Sequence, residues 1–206
     1  MRAAVRSAAS TESTGGPFIP AGRIQSHGAL RALASWLHSP GLRGVIQHET
    51  RRHMSSDLQR YLFAASFAQV FGTSPRLRVF PPDLLPDHES ARETVAGDTP
   101  FPDRFRVQCA ELPSSTVVSH IAKDGHYYIH YDPGQCRSLT VREAARLQTF
   151  PDDYFFEGTR TQQYVQVGNA VPPYLAKQIA SIVLDVVHRV AVDEDRREGA
   201  GARRAA

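Results

Sequence analysis

The sequence predicts an α/β chain that is partial as a layered domain, and three observations carry that expectation. Strand-like runs cluster between Arg104 and Tyr131, two helices with clear start signals follow Arg137, and the last helix carries an apolar stripe for which the chain encodes no matching sheet. The 206 residues are 41% hydrophobic and 22% charged, enough for one ordinary core with a small satellite. A balance of 24 Lys and Arg against 21 Asp and Glu gives +3, which permits a polyanionic partner without demanding one. Cys109 and Cys136 form no CxxC pair, so neither a zinc site nor a disulfide framework is expected, and a reducing interior fits. No apolar run approaches the roughly eighteen residues of a membrane span.

Residues 1–22 are rich in Ala, Ser, Thr, Gly and Arg, lack apolar periodicity, and are expected to form a disordered tail; MRAAVRSAASTEST resembles a transit segment only superficially. Gly28 to Leu37 predicts a short helix with Leu30, Leu33 and Leu37 on one side, Trp36 in the core, and a break at Pro40 and Gly41. A basic cluster, His48, Arg51, Arg52 and His53, precedes a helix that Ser55 or Ser56 caps and Gly72 ends. Leu58, Tyr61, Leu62 and Ala65 are expected to face the protein there, and Asp57, Gln59 and Arg60 the solvent.

The prolines of residues 73–103 predict an extended connector with one or two turns, with His88 on its surface. RFRVQC, TVVSHIA and HYYIHY then read as strands, the last two joined at Lys123, Asp124 and Gly125 in a β-hairpin. In that register Ser119, Ile121, Lys123, His126, Tyr128 and His130 share the outward face. Val118, His120, Ala122, Tyr127, Ile129 and Tyr131 share the inward one.

Thr140 opens the next helix, and Glu143 three residues later completes a capping box ahead of Ala144, Ala145 and Leu147, with Pro151 closing it. A second helix starts at Pro172 or Pro173, after the loop of Gly168, Asn169 and Ala170. Leu175, Ile179, Ile182, Val183, Val186 and Val190 recur at spacings of three and four, so that helix is expected to bury one face. From Asp193 the chain is charged and small, and residues 192–206 are expected to be a disordered tail.

RSLTVREAARLQTFP followed by QYVQVGNAVPP resembles the ninth and tenth sequence blocks of DNA (cytosine-5) methyltransferases, two separate motifs in the family's order. The resemblance implies a C-terminal piece of a Rossmann-like, S-adenosylmethionine-dependent fold, preceded by a small, mostly irregular recognition region containing the hairpin. Residues 23–136 would then be the target-recognition-like region and 137–191 the C-terminal part of the catalytic domain.

It implies double-stranded DNA as partner, with Lys123, His126, Ser114, Thr116, Arg51 and Arg52 as contacts. Pro113, Ser114, Ser115 and Thr116 resemble the family's short Pro-Ser loop. It implies Asn169, Ala170 and Val171 beside the methionine end of S-adenosylmethionine, a partial site only, and Arg137, Glu143 and Arg146 as a structural hinge.

The family attacks cytosine C6 with a cysteine thiolate that follows a proline. Cys109 and Cys136 each follow Gln, and both read as packing residues, so no catalytic nucleophile is expected in this chain. The Phe-x-Gly-x-Gly cofactor loop and the Glu-Asn-Val and Gln-x-Arg-x-Arg blocks do not occur in it.

The expectation is a fragment or subunit of a restriction-modification methyltransferase, cytoplasmic and nucleoid-associated, inactive without a separate chain bearing the N-terminal half. A non-catalytic DNA-binding module and a nonfunctional remnant are the alternatives.

Overall fold

The computed structural model describes residues 15–20, 31–86 and 102–205. Residues 1–14, and with them most of the expected tail, lie outside the described residues, as do Leu30 and His88. The chain divides into two units, Met1–Ala170 and Val171–Ala206.

In the first unit, β1 (Gly15–Pro20) pairs antiparallel with β2 (Gly44–Glu49), Phe18 opposite Ile46 and Gly16 opposite His48. Neither strand was expected: β1 falls in the presumptive tail, and its order comes from a partner some thirty residues away. Helix α1 (Arg31–Leu37) lies between them. Its Trp36 is half-buried and donates its indole N–H to the Thr149 carbonyl at 2.8 Å.

Helix α2 (Ser55–Phe71) ends as expected at Gly72, whose φ of +68° places it in the left-handed region with its N–H on the Ala68 carbonyl. Its start differs. Met54 holds the N-cap position with no side-chain bond, so neither Ser55 nor Ser56 caps it. Tyr61, Ala64, Ala65 and Ala68 are buried, as are Asp57 and Arg60, which were expected in solvent. Burial is tolerated because the two pair at 2.9 Å and Arg60 also donates to the carbonyls of Leu84 and Leu85. Those carbonyls belong to the connector, which makes two 3-10 turns, Leu77–Val79 and Pro82–Leu84, and buries Leu77, Phe80 and Leu84.

The expected hairpin does not form. TVVSHIA becomes a 3-10 turn, Ser119–Ala122, and the extended backbone of Tyr128–His130 pairs elsewhere. Ile129 bridges in parallel to Val107 and antiparallel to Ser138. The burial of the two faces is largely inverted: Ile121, His126, Tyr128 and His130 are buried, whereas Val118, His120 and Tyr131 are exposed. Partners remote in sequence choose the register, and a two-stranded ribbon alone could not compete with them.

The seam divides two apolar clusters, because successive side chains of an extended segment point to opposite sides. Tyr128 joins Val117, Ile121, Leu139, Val141, Phe150, Phe156, Tyr164 and Val167. Ile129 joins Tyr61, Leu77, Phe80, Leu84, Phe105 and Cys136.

Helix α3 (Val141–Leu147) has the expected capping box. Glu143 N–H donates to the Thr140 hydroxyl at 3.2 Å, and Thr140 N–H to the Glu143 carboxylate at 2.8 Å. Helix α4 (Arg160–Asn169) was not foreseen, although Thr159 and Gln162 form a second capping box three residues apart. Gly168 and Asn169 therefore lie in a helical last turn, not in a loop. A Cβ on Gly168 would stand 2.4 Å from the Ser119 backbone nitrogen, so glycine is required there by close approach.

The second unit contains α5 (Pro173–Ala205), which starts at the expected proline and runs through the stretch expected to be a tail. Ala, Glu and Arg are strong helix formers, and a helix satisfies its interior backbone without tertiary partners. The expected buried face is exposed. Leu175, Ile179, Ile182, Val183, Val186 and Val190 are 47–66% accessible. Among the described residues no helix is long and apolar enough to cross a membrane.

Candidate nucleic-acid interface

Arg142 is the largest fully buried side chain. It donates to the carbonyls of Ile46, Pro151 and Tyr154 and so ties α3 to β2 and to the loop beyond. Burial pulls its pKa down to about 10, leaving it cationic at neutral pH. Gln47, held at φ +55°, meets Phe156 through both ends of its amide, donating to the carbonyl at 2.7 Å and accepting from the N–H at 3.0 Å. Neither residue was singled out from sequence. VREAARL carries Arg142, Glu143 and Arg146 together, so its local pattern does not single out Arg142 as the buried charge.

Two of the expected hinge residues, Glu143 and Arg146, sit on the same helix, and Arg137 lies just ahead of it. Arg137 grips Glu143 with two nitrogens, at 2.6 and 2.7 Å, and also donates to Gln135 and to the Ser138 carbonyl. Burial alone would raise the Glu143 carboxyl. The bonds and charge of Arg137, with the Thr140 N–H, outweigh it and bring the group down to about 2. Arg146 holds Asp152 at 2.7 Å through both carboxylate oxygens.

The expected DNA contacts divide into two sets. Arg52, Ser114, Thr116 and Lys123 are exposed. Arg51 is half-buried: it donates to the Ile121 and Lys123 carbonyls at 2.7 and 3.1 Å and lies 4.0 Å over the Tyr164 ring. His126, expected outward beside Lys123, is 7% accessible and accepts or donates at Nδ1 to the Tyr61 hydroxyl, 2.8 Å away. Arg51 thus joins the basic cluster to the 121–123 turn, and Arg52 and Lys123 flank that junction.

Asn169 is exposed at the end of α4, Ala170 packs against the first apolar cluster, and Val171 is exposed. None of the three lines the cavities that include Ala68 and Asp132, Met54 and His126, or Ser74 and Arg106.

Burial raises the pKa of both thiols; Cys136 is pushed up to about 11, with Sγ 2.9 Å from the Leu58 carbonyl, and Cys109 is half-buried.

Residues 43–184 match the family of C-5 cytosine-specific DNA methylases. The chain is 58% identical over 96 residues to the type II methyltransferase M.Bpa9945I of Bacillus paralicheniformis, covering 47% of this chain and 22% of that protein. It is 36% identical over 140 residues to the type II methyltransferase M1.HphI of Haemophilus parahaemolyticus, covering 68% of this chain and 31% of that one. With the DNA (cytosine-5-)-methyltransferase M.ApeKI of Aeropyrum pernix it shares 46% identity over 78 residues, 38% of this chain and 16% of the relative. The chain spans less than a third of the length of these relatives. With the match running over residues 43–184, more than half of its length, this chain belongs to the C-5 cytosine-specific DNA methylase family.

Proposed function

We propose that this chain supplies the target-recognition region and the C-terminal part of a DNA (cytosine-5) methyltransferase, and methylates only with a polypeptide carrying the cofactor glycine loop and the Pro-Cys nucleophile. The observation that carries the reading is the exposed apolar stripe of α5 in a chain whose family match runs through Leu184. A stripe of Ile, Leu and Val at helical spacing is an unfilled interface, and the catalytic half of such an enzyme is the surface it fits.

Duplex DNA is the substrate, S-adenosylmethionine the methyl donor, and Asn169, Ala170 and Val171 complete the cofactor site only in the assembled enzyme. Lys123 and Arg52 contact phosphates, and Ser114 and Thr116 lie on the same approach. Arg137, Glu143 and Arg146 hold the hinge between the recognition region and the catalytic fold. The setting is a bacterial-type restriction-modification system at the nucleoid.

Mixing tests this directly. The full chain and a second polypeptide bearing the glycine loop and Pro-Cys block are combined with duplex DNA and radiolabelled S-adenosylmethionine. Label is expected at cytosine C5 only in the mixture. Methylation by the chain alone refutes the division of labour, and a mixture that stays inactive while the chain binds DNA favours a non-catalytic binding module.

A further inference from the structure

Beside the Lys123 turn lies a chain of polar groups that the proposed function does not use, with Tyr61, His126, Ser138 and Asp57 buried and His53 and Asp124 half-buried. His53 Nε2 stands 3.3 Å from the Ser138 backbone nitrogen and 3.1 Å from its hydroxyl. The Tyr61 hydroxyl is 3.4 Å from His53 Nδ1 and 2.8 Å from His126 Nδ1. His126 Nε2 points at two carboxylates, Asp124 at 3.6 Å and Asp57 at 4.0 Å. Tyr61 is wholly buried and His126 nearly so.

A backbone N–H can only donate, so His53 Nε2 accepts and the proton of the neutral ring sits on Nδ1, directed at the Tyr61 oxygen. Two arrangements then satisfy the tyrosine proton, on His126 Nδ1 or on the Asp124 carbonyl at 3.3 Å. The negative charge of Asp124 and Asp57 on the Nε2 side of His126, at 3.6 and 4.0 Å and so beyond hydrogen-bond reach, favours the first, with the His126 proton on Nε2.

We propose that this directed relay, Ser138 to His53 to Tyr61 to His126 to Asp124 and Asp57, is the positioning device of the Lys123 turn, and that it operates only while both imidazoles are neutral. The inference rests on the reading that Lys123 contacts DNA. A second proton on His53 sets a donor against the Ser138 N–H. A second proton on His126 sets a donor against the tyrosine proton.

The surroundings favour neutrality. Burial is the main influence on each ring and brings His53 down to about 4; Arg51, Arg137 and His126 oppose its charge and Asp124 supports it. His126 is also lowered by burial, with Asp124 and Asp57 raising it and Arg104 and Arg60 lowering it. The edge of Tyr61 and the tilted face of Phe105 complete the enclosure of His126.

The test is long-range nitrogen NMR of the two imidazoles in the full chain at pH 7.5, read beside DNA binding. His53 is expected as the Nδ1–H tautomer and His126 as the Nε2–H tautomer. Either ring found in the opposite tautomer, or charged, overturns the relay, and this arm needs no variant. Tyr61→Phe, which removes one oxygen, is expected to weaken binding to a mixed-sequence duplex by about tenfold with its salt slope unchanged. An unchanged affinity in a folded Tyr61→Phe overturns the positioning role. Lys123→Ala is expected to reduce the salt slope by about one. A slope that stays put while the tautomers hold refutes the DNA contact and leaves the hydrogen-bond direction standing, so the two failures are distinguishable.

Discussion

Residues 137–147 and residues 104–131 are neighbouring stretches, yet one was readable from sequence and the other was not. In the first, Thr140 and Glu143 satisfy each other three residues apart, and the helix they start is where the pattern places it. In the second, two of the three expected strands reduce to single bridges and TVVSHIA to a 3-10 turn, because Ile129 finds its partners at Val107 and Ser138 and His126 finds Tyr61. The lesson concerns range. Interactions closed within one turn are written in the sequence, whereas those closed over longer separations, from Ile129–Ser138 to His126–Tyr61, are decided by what else is folded.

The largest expected effect tests the long-range side. Arg142→Met removes the guanidinium from the Ile46, Pro151 and Tyr154 carbonyls and should cost about 3–5 kcal/mol, seen as a lower urea midpoint. Arg142→Lys should recover little of it, since a single ammonium cannot span three divergent carbonyls. A loss below about 1 kcal/mol would mean that local signals hold α3 in place. Gly168→Ala comes next, about 1–3 kcal/mol by the same measurement, from the clash with Ser119.

Acid should follow. Burial lowers His48, His53, His126 and His130, so the unfolded chain binds more protons between the ordinary histidine pKa and the lowered ones. Stability is therefore full above about pH 6.5 and declines toward pH 4, where His53 titrates, by an amount on the order of 1–2 kcal/mol for that residue. Glu143, depressed to about 2, acts in a lower window: its contribution is present above the ordinary carboxylate pKa and is lost only as pH falls through about 2. Denaturant midpoints across pH 3.5–8 should slope upward with pH, and a flat profile would contradict the burial of the histidines.

The smallest pair sharpens the comparison most. Thr140→Ala and Thr159→Ala remove equivalent caps, but Thr140 is fully buried and also meets His48 Nδ1 at 3.0 Å, whereas Thr159 is exposed. Losses of about 1–2 and about 0.5 kcal/mol are expected, respectively, from thermal unfolding. Equal losses would mean that the buried cap gains nothing from its tertiary partner.

The candidate interface was half legible for the same reason. Arg52, Ser114, Thr116 and Lys123 were placed outward and are exposed. Arg51 and His126 were placed with them and are held inside instead, one by Tyr164 and two carbonyls, the other by Tyr61. Helix α4 was missed although Thr159 and Gln162 stand at capping-box spacing, because the Gly-Asn pair of its last turn read as a loop.

By itself, then, the amino-acid sequence determined the start of α3, the glycine end of α2, the proline start of α5, and the family through two contiguous motifs. Each depends on groups within a few residues of one another, where chain connectivity guarantees the encounter. Tertiary structure alone decided the pairing of β1 with β2, the burial of Asp57, Arg60 and Arg142, and the inversion of the 118–131 faces. A buried charge or a strand edge is stable only against its particular partners, and those partners are adjacent only once the chain has folded.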